Sequence, residues 1–211
     1  MKQKIPCFCD NTFTVEIPDE IDLDANPAYI DEIINGAFLN FTCPSCGKKH
    51  KPEFDLTILW PSKNIRFEIF QELGRGEFYR RKKEVLEKGP MKKETIISFP
   101  ELSERILVYR DGLEPAAVEA IKYYLYVKAE ENYPEEELDI WYAESRDPEG
   151  PLEFHIHGIK KDEVAVMKVP RSLYQKTLDD YRKHPKSEIF ESLRVRSYLS
   201  VKNMMRPEEL K

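Results

Sequence analysis

Beyond position 46 this 211-residue sequence has no cysteine, so no thiol in the long remainder of the chain is available as a nucleophile. It has no window approaching the roughly 18 to 20 uninterrupted apolar residues of a membrane span. Its start, MKQKIPCFCD, has neither an apolar signal core nor a small-residue cleavage site. These absences predict a cytoplasmic protein with no membrane partner. Also missing are a Walker A loop, a Gly-x-Gly-x-x-Gly turn and a Gly-x-Ser-x-Gly elbow, and GRGEF is one glycine short of a dinucleotide fingerprint. The sequence therefore reads as a non-enzyme.

What is present suffices for a folded chain: 41% of residues are hydrophobic and 11% aromatic, enough for one large or two small cores. The formal charge of -6 hides an uneven distribution. Residues 1–60 carry 5 basic and 10 acidic side chains, 61–94 carry 10 and 6, 95–170 carry 8 and 17, and 171–211 carry 10 and 6. The basic run YRRKKEVLEKGPMKK joins two acidic blocks and reads as a helix stopped by Gly89 and Pro90. The expected organisation is a metal-binding domain over 1–75, a basic helix or linker over 76–94, and a second domain over 95–211.

In the first domain, FTVEIP alternates Phe13, Val15 and Ile17 with polar residues, as a strand does. A helix follows, with Asn26 as its cap, Pro27 at its first position, Tyr29, Ile30, Ile33 and Ile34 at helical spacing, and Gly36 at its end. FDLTILW and NIRFEIF read as further strands.

The four cysteines fall in two close pairs, Cys7 with Cys9 and Cys43 with Cys46, the pattern of a four-thiolate metal site. Pro44 and Gly47 suit the tight turn of a knuckle whose backbone amides can donate to thiolates. Cys-x-Cys on a regular strand would place both sulfurs on one face, so a turn or bulge is needed there. Three other readings stand beside this one. His50, four residues after Cys46, or Asp10 could replace a thiolate; the site could hold no metal; or CPSC could be a redox dithiol, although such a dithiol needs a helix starting at the motif and GKKHKP does not suit one.

The early cysteine pair, FTVEIPDEIDLDANP, a short helix ending NGAF, and FTCPSCGKKHKPEF before an apolar strand resemble the CpXC domain proteins of bacteria and archaea. The resemblance covers about the first 70 residues and, more loosely, RILVYRDGLEPAAVEAIKYYL. It implies zinc binding through two Cys-Pro-x-Cys motifs, of which the first is contracted here to Cys7-Phe8-Cys9. It implies no particular activity.

The second domain is expected to contain a long amphipathic helix with Pro115 near its start and Val118, Ile121, Tyr124 and Leu125 on one stripe. LDIWYAE, LEFHIHGI and EVAVMKV then form an antiparallel meander. Ser172 and Gln175 form a capping box for LYQKTLDDYRKH. The tail after Ser187 reads as helix, or as helix then strand. The fold class is α+β: a small zinc-knuckle, ribbon-like β domain with one helix, followed by an antiparallel sheet with packed helices.

One further constellation could carry chemistry. Glu153, His155 and His157 share a strand face, which as a metal site would give a hydrolase and otherwise is a solvated outer face. His184 reads as a helix end. A zinc ribbon could also bind nucleic acid, but phosphate needs clustered cations, and the acidic cysteine region would gain about -2 more from a four-thiolate zinc. Only residues 75–93 and the tail offer a basic patch. The expectation is a structural zinc on Cys7, Cys9, Cys43 and Cys46 in a module that binds a protein partner, with no nucleic acid.

Overall fold

The computed structural model describes residues 1–80, 89–133, 137–145 and 147–205. The chain divides into two compact units, Met1–Ser103 and Glu104–Lys211. Most of the basic run expected as a helix before Gly89 lies outside the described residues.

The first unit opens with β1 (Lys2–Pro6) and β2 (Thr12–Glu16), an antiparallel hairpin with Lys2 opposite Glu16 and Pro6 opposite Thr12. β3 (Glu20–Asp22) follows, then α1 (Ala28–Ile34). The expected cap does not form. Pro27 occupies the cap position at φ -60, no side chain caps the helix, and Asn26 Nδ2 turns back to the Asp22 carbonyl. The turn is organised instead by Asp22, whose Oδ1 accepts from the Asp24 and Ala25 amides at 2.9 and 3.1 Å, a side-chain-to-backbone bond that competes with helix entry. The helix ends as expected: Gly36 adopts φ +65, and the Ala37 and Phe38 amides both close on the Glu32 carbonyl.

A second hairpin, β4 (Phe41–Thr42) with β5 (Lys49–His50), carries the other cysteine pair at its tip. β6 (Leu56–Trp60) and β7 (Ile65–Phe70) then pair antiparallel. Their register sets Leu56 against Ile69, Ile58 against Phe67 and Trp60 against Ile65, all buried. A slip of either strand by one residue would turn its three buried residues to the other face, so the alternation in the sequence fixes the pairing. β3 joins β6 in parallel. After α2 (Arg75–Arg80), β8 (Lys92–Ile97) joins β7 in parallel, giving the order β3-β6-β7-β8. The unit is thus a mixed sheet accompanied by two small hairpins.

The division between units falls inside α3 (Phe99–Arg110). In the second unit α4 (Pro115–Glu130) buries Ala117, Val118, Ile121 and Leu125 in one core, and Ala116 and Ala120 in another. Three of the expected stripe residues are buried, but Tyr124 is 48% exposed. The alanines at 116, 117 and 120 let neighbours approach two sides of the helix, so the buried surface is wider than one stripe and leaves Tyr124 outside it.

The meander forms as expected: β9 (Asp139–Glu144), β10 (Leu152–His157) and β11 (Ala165–Val169) pair antiparallel with β10 central. α5 (Arg171–Lys183) starts directly after Pro170, which fills the cap position, so Ser172 lies inside the first turn and the capping box is absent. Gln175 instead donates to Asp179 at 2.9 Å. The tail is helix then strand: α6 (Glu188–Ser192) precedes a short hairpin of β12 (Arg194–Val195) and β13 (Tyr198–Leu199). The fold is α+β throughout.

β10 shows the alternation most clearly. Leu152, Phe154 and Ile156 are buried with α4 and with Tyr174 and Leu178 of α5, while Glu153, His155 and His157 point the other way. Phe154 also meets Tyr142 edge-on at 5.6 Å. Phe154→Ala is therefore expected to cost about 3–5 kcal/mol in chemical denaturation. His155→Ala and His157→Ala should each stay within about 0.5 kcal/mol of the parent. The opposite ranking would mean that the histidine face has a structural duty.

Candidate metal centre

Two hairpin tips build the site. In the first, the Cys7 amide donates to the Asn11 carbonyl at 2.8 Å and the Asp10 amide to the Cys7 carbonyl at 3.1 Å. Asp10 takes φ 63, a left-handed conformation that a short carboxylate side chain tolerates. The turn that the contracted Cys7-Phe8-Cys9 motif required is present, and it lies beyond the end of β1. In the second tip, the Gly47 amide closes on the Cys43 carbonyl and the Cys43 amide on the Lys48 carbonyl, both at 2.9 Å. Gly47 sits at φ +72, where any side chain would be strained.

The tips meet sulfur to sulfur. Cys7 Sγ is 3.5 Å from Cys46 Sγ and Cys9 Sγ is 3.8 Å from Cys43 Sγ. All four sulfurs lie within 4.8 Å of one another, the one such cluster of metal-competent side chains among the described residues. None is in a disulfide; Cys7 and Cys43 are buried, and Cys9 and Cys46 face solvent. Four clustered cysteines of this kind can hold a metal ion.

The surroundings prepare some sulfurs for charge and deny it to others. Burial pushes the Cys43 thiol up, but the Cys46 and Ser45 amides and the Asn11 side chain, 3.7 Å away, outweigh it and bring the group down to about 6. At Cys7 the Cys9 amide pulls down, but burial and the three neighbouring sulfurs push the group up to about 12. Four thiolates this close repel one another, so they cannot all ionise without a cation between them.

His50 lies at the edge of the cluster. Its Nε2 is 3.2 Å from Cys7 Sγ, and its ring stacks on Phe8 and meets Phe13 edge-on. It does not belong to the mutually close set, and neither does Asp10. A histidine hydrogen-bonded to a ligating sulfur orients and tunes that ligand. The spacing from Cys46 to His50 was the only sequence signal for this neighbour. No helix begins at CPSC; the next element is β5, so the helix terminus that activates a redox dithiol is lacking.

The other expected sites belong to the second unit. His155 Nε2 lies 3.3 Å from Glu153 Oε1, while His157 is exposed. His184 terminates α5, its amide bonded to the Asp180 carbonyl at 2.8 Å. Among the described residues no helix is long and apolar enough to cross a membrane.

The chain aligns with an uncharacterized protein of Treponema pallidum (strain Nichols), 25% identical over 219 residues that cover 95% of this chain and 97% of that protein. No solved structure matches. The family model described as CpXC protein matches residues 5–122, more than half of the chain and a span that includes both cysteine tips. The chain therefore belongs to the CpXC family.

Proposed function

We propose that Cys7, Cys9, Cys43 and Cys46 hold one structural zinc ion, and that the chain acts in the cytoplasm as a non-enzymatic protein-interaction or regulatory module. The observation that carries this reading is the sulfur spacing. A tetrahedral zinc with bonds of about 2.3 Å has ligand-to-ligand edges of about 3.8 Å, against 3.5 and 3.8 Å across the two tips. Four thiolates fill such an ion's coordination and leave no open position for a substrate, which supports a structural rather than a catalytic role. Thiols that stay unpaired suit a reducing compartment.

The nucleic-acid reading is the second one, and three of the four described cations of the 75–93 segment weigh against it. Arg75 pairs with Glu72 and Glu101, Lys92 with Glu94 and Lys93 with Glu68, all at about 2.5 to 2.8 Å. Cations engaged this way have less to offer phosphate.

Metal analysis of the purified chain tests the proposal. The expected result is one equivalent of zinc, with the four thiols shielded from a thiol reagent until the protein unfolds. Substoichiometric zinc with four freely titrating thiols would overturn it. Binding of a generic oligonucleotide should be lost at physiological salt; submicromolar affinity there would move the second reading to first place.

A further inference from the structure

The three-stranded sheet of the second unit has two unlike edges. The β9 edge is closed from within the unit: the Tyr142 amide donates to Glu104 Oε1 at 2.6 Å and the Ser145 amide to Asp111 Oδ2 at 3.2 Å. β11 is bonded to β10 on one side, and among the described residues no hydrogen bond reaches its other side. An uncovered strand edge is a template for another strand.

The side chains along this edge are also unusual for solvent. Val164, Val166 and Met167 are 45, 54 and 44% exposed. Val164 and Val166 lie on the outer face and Met167 on the core side, so each face presents an exposed large apolar residue at this edge, whereas the exposed Met1, Phe8 and Leu73 lie singly. The devices that blunt an edge are mostly missing. β11 contains no proline, its register with β10 runs without a bulge, and Lys168 is its one charged residue.

We infer that β11 is where two copies of this chain associate, pairing antiparallel around a twofold axis at Val166 so that two three-stranded sheets become one of six strands. The occupant is a second copy because the edge complements itself. In an antiparallel pair about an axis normal to the sheet, opposite residues share a face, and this register sets Val166 against Val166 of the second copy. On the core-side face it sets Met167 against Ala165, large against small, and does so twice. On the outer face Lys168 meets Val164, so its apolar stem covers the valine and its ammonium lies diagonal to Asp162 of the second copy. A register centred on Lys168 would instead set like charges against each other. The inference concerns the second unit and stands apart from the metal reading.

Sedimentation of the full chain over about a hundredfold range of protomer concentration tests it. A contact this small is expected to dissociate at about micromolar concentrations or above, so the parent's apparent mass should rise towards that of a dimer as concentration increases. Val166→Lys and Val166→Glu should each weaken association by at least about tenfold, because each sets like charges together at the axis. Equimolar mixing of the two variants should restore it. Val166→Thr, which keeps a β-branched residue, should leave association near the parent's and serves with near-ultraviolet circular dichroism as the check on folding. A parent that stays monomeric throughout would overturn the inference. Association untouched by both charged variants would overturn it too, and so would its loss in each without recovery in the mixture.

Discussion

Cys43→Ser is expected to abolish metal binding and to unfold both cysteine hairpins, while the second unit keeps its structure. Cys43 is buried, it anchors its turn through both its amide and its carbonyl, and Asn11 of the opposite tip reaches its sulfur. Serine offers an alcohol where the ion needs a thiolate. β1 with β2 and β4 with β5 are two-stranded hairpins, and such hairpins are marginal in water by themselves. Binding free energy at a structural zinc is about 10–16 kcal/mol and is largely folding free energy, as large as the whole stability of many domains. Chelation of the parent should reproduce the phenotype. Hydrogen exchange is the measurement: amides of residues 2–16 and 41–50 should lose protection, and those of β9, β10 and β11 should keep it. Retained protection in the hairpins after chelation would mean that packing, not metal, holds them.

Lys122→Met is expected to destabilise the second unit by about 3–5 kcal/mol, because removing one partner leaves buried charge uncompensated. Lys122 Nζ lies 2.7 Å from Glu104 and 3.5 Å from Glu119, and all three side chains are buried. Arg105 reaches Glu119 at 3.3 Å, and its guanidinium also donates to the Leu199 carbonyl. Burial, outweighing the attraction of Lys122, already raises Glu104 to about 7 from its ordinary 4.5. A carboxyl raised on folding contributes stability below its unfolded value and loses it as pH rises through the folded one. Without Lys122 the shift must grow. The deficit of the variant should therefore be smallest below about pH 4.5 and should widen through neutrality. Adding Glu104→Gln to Lys122→Met should recover part of the loss, read from denaturation midpoints in a double-mutant cycle. A deficit independent of pH would assign the effect to altered packing and the lost contact of the ammonium with the Trp141 ring rather than to an unpaired carboxylate.

The parts of the fold that the sequence shows plainly are those set by local period or by a single special residue. The alternation in LEFHIHGI predicts the buried Leu152, Phe154 and Ile156, and Gly36 and Gly47 mark turns that only a positive φ can make. Cysteine spacing announces the cluster of four sulfurs, because few uses other than metal binding need four thiols in that pattern. The helix starts were harder, since Asn26 and Ser172 are good caps only if the backbone enters at their position, and Asp22 and Pro170 decide otherwise. The parallel pairings of β3 with β6 and of β7 with β8 leave no local mark either. Nor does the buried group of Glu104, Arg105, Glu119 and Lys122, about which local period says nothing. A sequence names the charges but not the partners that allow their burial.

The ties from α3 and α4 to the tail bear on the order in which the protein can mature. Glu119 accepts from the Val201 amide 82 positions later, and Arg105 reaches the Leu199 carbonyl across 94 positions. The four clustered cysteines, by contrast, are all made by position 46. At about 5–20 residues per second, synthesis from Cys46 to Val201 takes on the order of ten seconds. During that interval the cysteine hairpins can already meet, while Glu119 still lacks the Val201 amide and Arg105 the Leu199 carbonyl. The second unit thus completes only after residue 201 is made.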